Sequence, residues 1–357
     1  MDDSSRMPQA LTRSVLPIMV IAGCMLIAVI SICCWLFGQM IMFAFAGVLV
    51  AVLMRGIAQA VHRWTRLPIG MSLIAAILLA VLVTGGACIL FGRMVESQTG
   101  QLVQSVPEGM AHMKDQLSKT DQGRWLLAHQ SQASAYAGLA AQKAATMLTI
   151  SLSALAGIIL MVATGLFLAF QPSLYVSGLV SLVPPPRRAR AREVLEELGY
   201  ELRRWMLGQG LVMLIVGAIL TIGLAIIHNQ FALALGLLSA LVTFVPYLGA
   251  LLAGSIAILA SIQQGEHVLG WTVLLYLVVY LFEGYCITPL VQRGTVELPP
   301  ALIIIAQLAA GVVFGLLGLV FAAPLLVTIL VLVKMLYLRD TLGDEVRLPG
   351  LEHAATT

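Results

Sequence analysis

A chain of 357 residues that is 60% hydrophobic and only 10% charged, with a mean hydropathy of +0.98, holds more apolar surface than a soluble domain of that length can bury. Its net charge of +3 supplies no cationic surplus for a nucleic-acid partner. Several uncharged runs reach the roughly 20 residues that cross a ~30 Å hydrocarbon core. The expected class is therefore an all-α polytopic membrane protein with about eight transmembrane segments, some broken or re-entrant, plus an amphipathic helical insert outside the membrane.

Residues 1–91 read as three N-terminal helices: Ser14–Phe37, a run from the Gly38-Gln39 break to Met54, and a span from Ile69. The first run is longer than the roughly 7–15 residues of a signal h-region, so it reads as a membrane helix. Arg55, His62, Arg63 and Arg66 read as a short basic loop. Residues 92–146 form the one long polar region. Ser105 and Glu108 have capping-box spacing around Pro107, and Met110, Met113 and Leu117 follow at helical spacing, so the insert reads as amphipathic helices. Residues 147–170 are a fourth span. Residues 171–207 are a basic segment with Pro184-Pro185-Pro186 and Arg187, Arg188, Arg190 and Arg192; Val194, Leu198, Leu202 and Trp205 then mark one helix face. That helix lies along the membrane or projects as a solvated juxtamembrane helix. Residues 208–338 hold four apolar segments, at 208–228, 231–262, 268–290 and 301–337, and 339–357 are a polar tail. Lysine and arginine placement puts both termini, the 55–66 loop and 187–204 in the cytoplasm of a bacterial inner-membrane protein, with the insert and the turn carrying Arg293 and Glu297 outside.

Two apolar segments are too long. A straight helix over Phe231–Ile262 would reach about 48 Å, more than the core needs even when tilted. Its centre reads Phe244-Val245-Pro246-Tyr247-Leu248-Gly249, where proline removes a donor and Gly249 permits a cap. A broken helix, a re-entrant hairpin or a proline kink follows. Ser239, Thr243 and Tyr247 form a polar stripe at i, i+4, i+8. Ala301–Val333 has the same excess. Gln307, Gly311, Gly315 and Gly318 would share one face, either for close helix packing or as a permeation face, and Pro324 would break the segment again. Between them, Thr272, Tyr276, Tyr280 and Glu283 form an inward stripe. Glu283 reads as a membrane-depth carboxylate or as a headgroup-level one.

The five cysteines, Cys24, Cys33, Cys34, Cys88 and Cys286, lie in or beside apolar runs without metal-ligand spacing, so they read as buried thiols. There is no His-Glu-x-x-His, Gly-x-Ser-x-Gly or Walker loop in the sequence. Neither an enzyme nor a cofactor or metal site is expected.

The segment order and a set of C-terminal motifs carry a resemblance. The motifs are Arg204-Trp205-x-x-Gly208-Gln209, Val245-Pro246-Tyr247-Leu248-Gly249, Glu283-Gly284-Tyr285 with Thr288-Pro289, Leu298-Pro299-Pro300, and Phe314-Gly315-x-x-Gly318 with Pro324-Leu325. With these the chain resembles the AI-2E (autoinducer-2 exporter, or PerM-like) family over nearly its whole length. The resemblance implies export of a small polar furanone-type signal, or sodium or lithium/proton antiport in other members, and a homo-oligomer such as a pentamer. Leu298-Pro299-Pro300 departs from the Leu-His-Pro of the quorum exporters.

The expected function is secondary transport of a small polar solute, with export as the direction. The path would be lined by Ser239, Thr243, Pro246, Tyr247, Gly249, Tyr276, Tyr280, Glu283, Thr288, Pro289, Gln307, Gly311, Gly315, Gly318 and Pro324. Arg204, Trp205 and Gln209 would form its cytoplasmic mouth, and Glu283 would couple a proton or Na+. Monovalent cation/proton antiport is the second reading. A non-transporting scaffold with 92–146 as its partner-binding module is the third.

Overall fold

The computed structural model describes residues 38–82, 111, 115, 118, 119, 152–292 and 298–343. The first expected helix, the capping box, Arg293, Glu297 and the tail beyond 343 lie outside the described residues. Among those described there is no strand.

Helix α1 (Gly38–Thr65) and α2 (Ile69–Leu82) form an N-terminal pair. The expected basic loop is helical up to Thr65, because Arg55, His62 and Arg63 ride on the last turns of α1. Helix α3 (Leu152–Phe170) turns by 86° into α4 (Pro172–Ser181). Leu174, Tyr175 and Leu179 of α4 are exposed. This right-angled apolar helix is the one suited to lie along a membrane surface.

After a short 3-10 turn at Pro185–Arg187, α5 runs unbroken from Arg188 to Ile226. At about 1.5 Å per residue it is roughly 58 Å long. The expected boundary near residue 207 is a change of surroundings, not a helix end. The charged half of α5 therefore projects past the apolar layer instead of lying flat. Val194, Leu202 and Trp205 on this half pack against Ala323, Val327, Val331 and Met335.

The segment 231–262 is a hairpin. Helix α6 (Ala232–Val242) stops at the Thr243–Tyr247 break, and α7 (Leu248–Ser261) returns beside it. Both open ends meet: Asn229 Nδ2 donates to Ser261 Oγ at 2.9 Å, and the Gln230 N–H donates to Gln264 Oε1 at 3.0 Å. A continuous kinked helix would hold these groups a full span apart. The closed end is equally tight, because a Cβ on Gly249 would run into the Val242 carbonyl. The hairpin sits between α5 and helix α8 (Glu266–Phe282), with Gly217 facing Ala240 and Gly254 facing Tyr276.

From α8 the chain widens into a π turn at Glu283–Ile287 and ends as α9 (Thr288–Val291). Pro289 cannot donate to a residue four back, and its ring crowds that turn. The extra residue of the π turn absorbs this, so the helix continues through Pro289. Gly208 of α5 lets Val291 and Gln292 approach. The end of α9 therefore lies level with the start of the apolar half of α5.

The last long segment, α10 (Pro300–Leu332), reverses at Gly315, whose φ of 66° and ψ of −148° suit glycine almost alone. A Cβ on Gly318 would strike the Ala310 carbonyl, and one on Gly311 would touch Leu319. Residues eight apart in one straight helix are about 12 Å apart, so the two arms are folded together as a second hairpin. Pro324 lies inside the return arm without a dihedral break; Thr328 Oγ1 donates to its carbonyl at 2.9 Å. The expected break at Pro324 thus falls at Gly315 instead. The return arm continues through a wide turn, Val333–Leu342, to the outer half of α5. There Arg190 grips Asp340 through two bonds of 3.0 and 2.9 Å, and Arg339 Nη1 meets Glu193 Oε1 at 3.1 Å.

The two hairpins enter from opposite sides. The turn 292–299 starts beside Gly208 and ends at Leu298, which packs in the cluster around Trp205. Both of its described ends, Gln292 and Leu298, lie on the side of the charged half of α5, not across from it as the crossing pattern suggests. His228→Cys and Glu266→Cys are expected to react with an impermeant maleimide from the same face of the membrane, in a background with the native cysteines replaced by serine. Labelling from opposite faces would restore a full crossing between them.

Candidate functional site

The tip of the first hairpin meets the second hairpin midway along its two arms. At the first tip, Tyr247 is forced to φ 61° and ψ −56°, a classic γ-turn closed by the Leu248 N–H on the Pro246 carbonyl at 2.7 Å. Such a turn is strained for a residue with a side chain. It also leaves backbone carbonyls without helical partners in an apolar layer, which is costly unless neighbours supply donors. Two glutamines do so. Gln307, on the inbound arm of the second hairpin, donates from Nε2 to the Pro246 carbonyl at 2.8 Å. Gln209 of α5 donates from Nε2 to the Thr243 carbonyl at 2.7 Å, and its own Oε1 accepts from Gln292 at 3.0 Å. Trp205, Phe244 and Phe321 stand edge to face at 6.1 Å steps across α5 and both hairpins.

Beside this junction lies the polar stripe of α8. Tyr276 OH and Ser239 Oγ are 2.9 Å apart; Ser239 spends its proton on the Leu235 carbonyl, so Tyr276 is the donor. The Tyr280 ring leans on Tyr276 with centroids 5.8 Å apart. Tyr280 and Thr243 are neighbours, yet their hydroxyls do not meet hydrogen-bond geometry. Thr243 Oγ1, Tyr280 OH and Gln307 Oε1 are buried without a partner. Native interiors pair nearly all such atoms. Three such oxygens gather around one helix break. Glu283, half-buried on the π turn, lies close enough to Tyr247 and Tyr280 to act on both electrostatically. Neither hairpin contributes a cation among the described residues. The lining therefore favours cations, or neutral solutes rich in hydroxyl groups, over anions.

A family model for AI-2E family transporters matches residues 24–337. The chain belongs to the AI-2E transporter family. This AI-2E chain is also 27% identical over 145 residues to Bacillus subtilis (strain 168) YueF, covering 41% of this chain and 39% of YueF. It is 27% identical over 143 residues to YrrI of the same organism, covering 40% of each. It is 33% identical over 103 residues to MT0215 of Mycobacterium tuberculosis (strain CDC 1551 / Oshkosh), covering 29% of this chain and 28% of MT0215. All three are provisionally named transport proteins. The matched stretch spans about two-fifths or less of each relative's length.

In this AI-2E chain the expected path residues divide into three groups. Ser239, Thr243, Pro246, Tyr276, Tyr280, Glu283 and Gln307 converge on the hairpin junction. Gly249, Gly311 and Gly318 close the hairpins by tight packing, and Gly315 makes the second reversal. These glycines do not form one permeation face, because the helix that would carry that face folds back on itself. Tyr247 is not on the Ser239–Thr243 stripe either. The helix ends at Val242, and Tyr247 points outward, 46% exposed. Thr288 is half-buried, Pro289 is exposed, and Pro324 is in the core of the return arm. The expected mouth is also revised. Trp205 is 1% exposed and belongs to the core, Arg204 holds Tyr200 OH at 3.2 Å, and Gln209 is a tip-capping residue. Gln292 was not singled out from sequence. Its signal is a polar amide just past an apolar helix, opposite a break whose carbonyls need donors.

Proposed function

We propose that this chain is a secondary transporter of a small polar solute in the bacterial inner membrane, with both termini cytoplasmic and export as its direction. The observation that carries the reading is the meeting of two opposed helical hairpins at unpaired oxygens beside a membrane-depth carboxylate. Broken helices that end near mid-membrane are the recurring framework of transport sites. In this reading the solute's hydroxyl groups pair with Thr243, Tyr280 and Gln307, and Glu283 takes up the coupling proton or Na+. An autoinducer-2-like furanone, as the family name suggests, has the required neutral, hydroxyl-rich chemistry. The homo-oligomer rests on the family resemblance alone.

The all-oxygen lining with one carboxylate also favours monovalent cation/proton antiport. Purified chain in proteoliposomes with an imposed pH gradient separates these readings. Under solute export, a mixture of small polyhydroxylated solutes collapses the gradient, and sodium or lithium alone does not. Under antiport, sodium or lithium alone is sufficient. Silence in both arms, with loss of cellular function when 92–146 is deleted, assigns the chain to the scaffold class.

A further inference from the structure

A second polar site lies away from the hairpins, where the ends of α1, α2 and α3 converge. A small open cavity there is lined by Arg55, Ala58, Gln59, Ile69, Gly70, Leu73 and Phe170. Arg55 Nε donates to the Ala169 carbonyl at 3.0 Å, which fixes the guanidinium while its two outer nitrogens hold no partner among the described residues. Gln59 is held by Arg203 of α5, and Arg63 lies close enough to act on Arg203 electrostatically. None of Arg55, Arg63 and Arg203 forms an ion pair among the described residues, and no carboxylate lines the cavity. Arg55 is thus a half-buried cation without a counter-charge, and Arg203 behind Gln59 is repelled by Arg63; an anion in the cavity offsets both.

The cavity also receives the start of α2. Its cap position is Pro68 and no side chain among the described residues caps its first turn; the first helix-type bond there is Ser72 N–H to the Pro68 carbonyl at 2.9 Å. Ile69 and Gly70 of that turn line the cavity, and beyond Gly70 there is open space. Unsatisfied first-turn N–H groups favour an anion. The depth matches a membrane surface. Trp64, 95% exposed, ends α1 here, and α4 turns away along the surface from Phe170. Exposed tryptophan at a helix end marks headgroup level.

We propose that the Arg55–Gln59–Gly70 cavity binds a phosphate ester: the headgroup of an anionic phospholipid in the bordering leaflet, or a soluble phosphate. Basic pockets between membrane helices on the positively charged side are suited to such headgroups.

Native mass spectrometry of the full chain in neutral detergent tests this, titrating phosphatidylglycerol, phosphatidylcholine or inorganic phosphate. Phosphatidylglycerol is expected to be retained at least about fivefold better than phosphatidylcholine, and Arg55→Gln to remove about fivefold of that preference. Gly70→Glu removes it as well, although it fills open space and places an acid in a helix's first turn, where folding tolerates it. Gly178→Glu on α4, also facing open space, leaves it unchanged. Competition by inorganic phosphate that vanishes in Arg55→Gln assigns the site to a soluble phosphate; retention without such competition assigns it to the lipid. Equal retention in wild type, Arg55→Gln and Gly70→Glu overturns the proposal, and so does an equal loss in Gly178→Glu.

Discussion

Glu283→Gln is expected to abolish gradient-coupled transport while leaving the fold intact. The substitution keeps the size of the side chain and its place on the π turn, and removes only the titratable charge beside Tyr280. Coupling requires a group that exchanges a proton or cation at each cycle, and an amide does neither. The loss of pH-driven flux is expected to be at least about tenfold, the effect of roughly 1.4 kcal/mol of lost coupling. Facilitated equilibration of solute without a gradient is expected to persist, because Thr243, Tyr280 and Gln307 are untouched. Unchanged pH-driven flux in vesicles would remove Glu283 from the mechanism. A variant that neither transports nor melts like the wild type would show that Glu283 serves the fold.

The second large effect is structural. Gly318→Leu places a branched side chain where even a Cβ meets the Ala310 carbonyl. The arms of the second hairpin must separate or the return arm must shift. Overpacking costs about 1–3 kcal/mol when a core can adjust, and backbone contact leaves little room to adjust. Separation also pulls Gln307 from the Pro246 carbonyl, leaving the Gln307 amide N–H without an acceptor in an apolar layer at about 1–3 kcal/mol more. A clear fall in the thermal midpoint in detergent, with loss of flux, is expected. Gly210→Leu is the matched control, because nothing lies within 4 Å of a Cβ there. Equal stability of the two variants would mean that the arms do not pack as described.

Much of this arrangement is legible in the residues themselves. Pro246 and Gly249 announce the first break, the excess length of Phe231–Ile262 requires it, and the Thr272–Glu283 spacing finds the inward face of α8. What spacing cannot decide is whether a break kinks or reverses. That depends on partners far along the chain, such as Ser261 for Asn229. The second reversal is harder still. Gly315 reads equally well as a packing glycine, and Pro324 is the louder breaker, yet the helix passes through Pro324 without a dihedral break. The long reach of α5 is hidden for another reason: charge marks where the apolar layer ends, not where the helix does. The two reversals also cancel in the count of crossings, so Arg190 and Asp340 still meet at one end of α5, where Gln292 and Leu298 join that side as well.

The Gln307–Pro246 bond joins residues 61 positions apart. During synthesis the first tip leaves the ribosome well before its partner does. At about 5–20 residues per second the delay is roughly 3–12 s. Through that interval the strained Tyr247 turn sits in or near the bilayer with the Pro246 carbonyl lacking its outside donor. The first hairpin is thus a nascent-chain liability that only the second can resolve. Chains stalled or truncated between Pro246 and Gln307 should be preferred clients of membrane quality-control proteases.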